Sequence, residues 1–178
     1  MRIITVCRNG DLWSGFPVNT YVQRLLARCQ EMDIALAGSP VYEQWLYHPT
    51  RRTIYVWAPD LAGQSLSYLV VILAHELGHA VDFDTHPSHV ALTRNLHWTE
   101  TPFFIERAAF VNGFRILKEL HVPISQQDYA AMIDDPMANE VVKEIEQRHL
   151  CCLLSNRNRR SSNRLSVASN ETQLSSTA

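Results

Sequence analysis

The feature that most constrains this chain is a pair of histidines and a glutamate set into an apolar stretch, Tyr68-Leu-Val-Val-Ile-Leu-Ala-His75-Glu76-Leu-Gly78-His79-Ala80-Val81. The stretch reads as a helix capped by Ser65 or Ser67 and running to about Phe83. Residues four apart on a helix lie within about 40° of each other, one turn along. His75 and His79 therefore face the same way and can grip one ion from a rigid platform. Glu76 lies about 60° from His79, beside the pair, where it can take a proton from water on a metal. Two imidazoles and a carboxylate without partners in such apolar surroundings would cost several kcal/mol, and a metal ion removes that cost. The expected cofactor is zinc, one ion per chain, which lowers the pKa of a bound water to about 7.

A catalytic zinc takes three protein ligands and leaves a fourth position open. A third histidine six residues past His79 would complete one known arrangement, but that position is Thr85, and His86 is one residue out of register. Four residues compete for the role. Asp82 shares the face of His75 but sits two turns on, which suits it to orienting a ligand histidine. His86 is followed by Pro87 and has no defined path back. Glu100 precedes Pro102 and lies outside the next helix. Glu106 is one turn inside the helix that Thr101-Pro102 opens, beside Ala109 and Gly113, whose small side chains let this helix pack closely on the first. Glu106 is therefore the expected third ligand. Gly78 supports a close approach: glycine within a helix costs about 1 kcal/mol relative to alanine. A side chain there would block a neighbouring backbone or a substrate. For stabilising an oxyanion, His86, His97 and Tyr129 are candidates that the sequence does not separate.

The remaining segments place this helix in an α+β frame. Arg2–Cys7 reads as a short strand and Pro17–Glu31 as an amphipathic helix. Val41–His48 and Thr53–Trp57 read as strands joined by the hairpin loop Pro49-Thr50-Arg51-Arg52. An extended substrate could add to the second of these strands. Residues 84–101 read as a loop, and Ser125 and Pro136 open helices running to Asp134 and about Leu150. The expectation is a small, largely antiparallel sheet from residues 2–7 and 41–57, packed on helices that carry the H-E-x-x-H motif and the downstream glutamate. With 178 residues the chain fits one domain, drawn at 1–154, followed by a Ser/Asn/Arg-rich tail at 155–178 that is expected to be disordered.

The net charge of -2 gives no electrostatic case for nucleic acid or an anionic membrane. The cluster Arg157, Arg159, Arg160 and Arg164 reads as part of a solvated tail. No signal peptide is visible, and the apolar run Tyr68–Ala74 is far shorter than the roughly 20 residues that span a bilayer, so a cytoplasmic location is expected. Cys7, Cys29, Cys151 and Cys152 form no C-x-x-C pair and read as incidental thiols in a reducing compartment. The oligomeric state leaves no signal.

Ala74-His-Glu-Leu-Gly-His-Ala80, followed by Glu106-x-x-Ala109 and Phe110, resembles the ImmA/IrrE family of small metallopeptidases over about residues 41–120. The resemblance implies a gluzincin-type, zincin-like fold, with His75, His79 and Glu106 as zinc ligands and Glu76 as the catalytic base. It also implies hydrolysis of a peptide bond in a protein substrate, for instance a regulatory protein such as a repressor. Two features depart from the family pattern. Phe110 and Val111 stand where members commonly carry an asparagine and a small residue, and there is no helix-turn-helix segment. The competing reading is a non-catalytic, metal-binding regulatory protein of the same fold. Glu76 argues against it, because binding alone needs no base.

Overall fold

The computed structural model describes residues 15–148 apart from 95 and 135, and the chain divides into two compact units, 1–141 and 142–178. The expected strand at 2–7, the tail at 155–178, and Cys7, Cys151 and Cys152 lie outside the described residues. In the second unit the described residues, 142–148, are helical. The first unit is α+β and carries the H-E-x-x-H motif.

Helix α1 spans Thr20–Glu31. It begins later than Pro17 because Asn19 is the better cap: its side chain accepts the N–H groups of Tyr21 and Val22 at 2.8 and 3.4 Å. Val22, Leu25, Leu26 and Cys29 form its buried stripe. Burial pushes the Cys29 thiol up to about 12, which suits an inert packing role. Asp33, in the left-handed region at φ 53°, reverses the chain into strand β1, Ala35–Gly38. Strand β2 is Leu46–His48 and strand β3 is Thr53–Val56.

The sheet order is β1-β3-β2, with β1 parallel and β2 antiparallel to β3. It is therefore mixed, not largely antiparallel. The difference comes from β1, a four-residue Ala-Leu-Ala-Gly segment too short and too weakly β-forming to stand out in the sequence. The first hairpin strand is also shorter than expected, beginning at Leu46 instead of Val41. The four-residue hairpin loop is where the sequence places it: Pro49–Arg51 make a 3-10 turn, and Arg52 closes it at φ 45°. The Arg52 guanidinium fixes that conformation by binding the Asp84 carboxylate at 2.8 and 3.3 Å and the Met32 carbonyl at 2.7 Å. Because β3 is paired on both sides, it has no free edge, and a substrate cannot add to it as the sequence suggested. Among the described residues the edge on the hairpin side is β2.

After a short helix α2, Asp60–Gly63, helix α3 runs from Leu66 to Thr85, with the Ser65 hydroxyl accepting the Tyr68 N–H. It is buried nearly all round, as the central helix of a core must be. By length and composition it could cross a membrane, yet most of it is buried inside the protein. Residues 84–101 are not one loop. Pro87 starts helix α4, Pro87–Thr93, and Trp98–Glu100 form a 3-10 turn. The seven-residue helix is too short to show a period in the sequence. Helix α5, Phe103–Glu119, then packs along α3, and helix α6, Gln126–Ala130, follows with Ser125 as its cap.

The α3–α5 contact is backbone against backbone. A Cβ on Gly78 would lie 2.0 Å from the carbonyl oxygen of Ala109, and one on Gly113 would lie 2.8 Å from that of Ala74. The two glycines thus allow an approach that no side chain would permit. Tyr129, buried on α6, donates its hydroxyl to the Phe110 carbonyl at 2.8 Å and holds α5 from behind.

Candidate metal centre

The close helix crossing decides what faces what. His75 and His79, one turn apart on α3, meet Glu106 on the first turns of α5. The two Nε2 atoms are 3.1 Å apart, and Oε2 of Glu106 lies 3.2 Å from His75 Nε2 and 3.5 Å from His79 Nε2. Ligands at zinc distances of about 2.0–2.2 Å in a tetrahedron stand roughly 3.3–3.5 Å from one another. The three edges of 3.1, 3.2 and 3.5 Å come within about 0.2 Å of that triangle, so these residues fit a metal ion with only a slight spreading of the ligand atoms. Both histidines are buried, and Glu106 is partly so. Neither His75 Nδ1 nor His79 Nδ1 has a hydrogen-bond partner among the described residues, so the polar chemistry of both rings converges at Nε2.

Packing fixes the rings. Phe110, one turn past Glu106, lies over His75 with centroids 4.0 Å apart, and Phe83 stacks on His79 at 5.7 Å. Burial alone would lower the His79 pKa, but the hydrogen bond and charge of Glu106, with Glu76 and Asp82 nearby, raise it overall. For Glu106 the balance runs the other way: burial would raise it, and its bonds to His75 and His79 hold it well below the usual carboxylate range.

Glu76 is buried beside this group, and its Oε2 accepts the backbone N–H of Tyr47 at 2.6 Å. Burial pushes its carboxyl above the usual range, and the two histidines and the Tyr47 N–H only partly offset this. That direction is the one expected of a carboxylate that exchanges a proton near neutral pH. Nothing in the sequence singles out Tyr47 as a participant. Its contribution is a backbone donor on the edge strand, and backbone donors leave no residue-type signal.

The other candidates fall away from the centre. Glu100 accepts the His97 N–H at 3.0 Å and caps the 3-10 turn. Asp82 does not orient a ligand histidine as expected; its two oxygens meet His86 and His89 instead. Two turns along the helix carry its carboxylate past the rings of His75 and His79 to the start of α4. A cleft of about 1430 Å³ opens over His75, Glu76, His79 and Glu106, bounded by β2 on one side and α4 on another. Of the three residues considered for an oxyanion, only His97 lines it; Tyr129 is buried behind α5 and His86 turns to Asp82.

Among the described residues the chain is thus an α+β protein with a His–His–Glu group able to hold a metal ion beside a buried carboxylate. No family model, curated protein or solved structure matches the chain. The side chains themselves carry the functional reading.

Proposed function

We propose that this protein is a zincin-like metallopeptidase of the kind the ImmA/IrrE resemblance implies, hydrolysing a peptide bond in a protein substrate. The observation that carries the proposal is the triangle of 3.1, 3.2 and 3.5 Å formed by His75, His79 and Glu106, with Glu76 buried next to it. Those three residues would hold the zinc ion. When bound, zinc supplies Lewis acidity, polarising a carbonyl and bringing water within reach of a carboxylate base. Glu76 is that base. The Tyr47 N–H fixes one of its oxygens, and the other accepts the proton of the attacking water and returns it to the leaving amine.

An extended peptide would lie along β2, the strand whose edge borders the cleft. Backbone groups there alternate between β3 and the open side, and Tyr47 N–H, on the open side, already serves Glu76. The substrate backbone and the base are therefore referred to the same short strand.

The test is Glu76→Gln in the full chain. The variant should keep the wild-type zinc content, by elemental analysis, and lose nearly all hydrolysis of a protein or peptide-library substrate that the wild type cleaves. Near-normal turnover by the variant would refute the base assignment. Zinc bound by a wild type that hydrolyses nothing would favour the non-catalytic reading.

A further inference from the structure

Asp82 is the most deeply buried carboxylate among the described residues, at 1% exposure. A buried carboxylate needs compensating charge or donors. Its surroundings supply two imidazoles: His86 Nδ1 stands 3.0 Å from Oδ1 and His89 Nδ1 stands 2.7 Å from Oδ2. A donor atom from each of the three residues lies within 4.8 Å of the others. The two rings stack at 4.9 Å with an interplanar angle of 23°, and the edge of Phe104 backs His89 at 5.2 Å. The arrangement is held from three segments: the last turn of α3, the residue between α3 and α4, and the first turn of α4. His86 is 54% exposed, which leaves an approach from solvent.

We propose that Asp82, His86 and His89 form a second metal site, taking a divalent transition ion of the zinc class. Two imidazole nitrogens and one carboxylate select such an ion over calcium or magnesium, which prefer all-oxygen sets. Each Nδ1 presents a lone pair once its proton moves to Nε2, a tautomer change that leaves the neutral ring neutral. The ion then brings its positive charge directly to the Asp82 carboxylate. Because Asp82 belongs to α3 and His89 to α4, occupancy ties the two helices together. Val90, Ala91 and Thr93 of α4 line the cleft, so the ion fixes one of its walls. The site shares no ligand with His75, His79 and Glu106, and it stands whether or not that group binds zinc.

The experiment is a zinc titration of the full, chelator-stripped chain against a chromophoric competitor, with hydrogen exchange of residues 86–93 followed in parallel. The wild type should bind two equivalents, and both His75→Ala/His79→Ala and His86→Gln/His89→Gln should bind one. Exchange over 86–93 should slow on binding in the wild type and in the His75/His79 variant, and stay unchanged in the His86/His89 variant. A single wild-type equivalent that disappears with His75→Ala/His79→Ala overturns the proposal. A single equivalent that survives there and disappears with His86→Gln/His89→Gln supports it, and refutes zinc binding by the first group instead. Should the His86/His89 variant fail to fold, the His75/His79 variant decides: zinc retained with slowed exchange at 86–93 supports the second site, and zinc lost overturns it.

Discussion

Replacing Gly78 with alanine pits helix propensity against packing, and the structure fixes which wins. In an exposed helix the change would stabilise by about 1 kcal/mol. Here the added Cβ would meet the Ala109 oxygen at 2.0 Å, the Ala109 carbonyl carbon at 2.8 Å and the Gly113 nitrogen at 2.9 Å. All three are backbone atoms of α5 and cannot rotate away. The helices must part by more than about 1 Å to restore ordinary contact. Overpacking of this sort costs about 1–3 kcal/mol, and an unyielding neighbour puts it at the upper end. Set against the propensity gain, the net loss is about 2 kcal/mol, or roughly 4–8 °C in Tm for a chain of this size. The same displacement carries Glu106 away from His75 and His79, while metal sites tolerate only about ±0.2 Å in ligand distance. Zinc affinity should fall by about 10–100-fold, the range seen when ligand-positioning contacts are lost. Thermal melts of chelated protein and competitive zinc titration measure the two effects separately. Gly63→Ala, at the exposed end of α2 with nothing within 4 Å of its Cβ, is the control and should leave stability unchanged or raise it by up to about 1 kcal/mol. A Gly78→Ala protein that melts at or above the wild-type temperature and keeps its zinc would refute the backbone contact between the helices as the reason for this glycine.

Glu106→Ala should lower zinc affinity at the first site by orders of magnitude, while Glu100→Ala should leave it within a few-fold; titration of both variants checks this, and the reverse result would move the third ligand. Stability of the metal-free protein should also depend on pH through these groups. His79, its pKa raised by Glu106, contributes stability that is fully present below the unfolded value of about 6.5 and lost as pH rises through the folded value. Glu106, held low, contributes stability present above about 4.3 and lost as pH falls toward its folded value. Melts of chelated protein should therefore show a higher Tm at pH 6 than at pH 8, with the difference shrinking in Glu106→Gln; an identical pH slope in the two proteins would remove this linkage.

Much of the centre was legible because its parts are local. His75, Glu76 and His79 lie within one helical turn or so, and the periodicity that makes α3 a helix also sets their directions. Glu106 was reached through Ala109 and Gly113, small residues whose only sense is a close neighbour. What escaped the sequence depended on contacts between distant segments. The parallel pairing of Ala35–Gly38 with Thr53–Val56 joins strands separated by β2 and its approach, and a single leucine among three small residues announces nothing. The position of β3 in the middle of the sheet, and so the location of the free edge, followed from that pairing. The partners of Asp82 are not legible because His86 and His89 reach it from the turn between α3 and α4, whose path the helical period does not give.

The crossing of α3 and α5 also sets where the molecule can move. At Gly78 and Gly113 the two helices meet backbone to backbone, so sliding or parting the pair there breaks contacts that no side-chain rotation can restore. His75, His79 and Glu106 all belong to that stiff half. The other walls of the cleft are a three-residue strand, β2, and a seven-residue helix, α4. Elements that short open at lower cost than a long packed helix. The cleft therefore has one fixed jaw, which carries the metal ligands, and a compliant one that can adapt to whatever chain is laid across it.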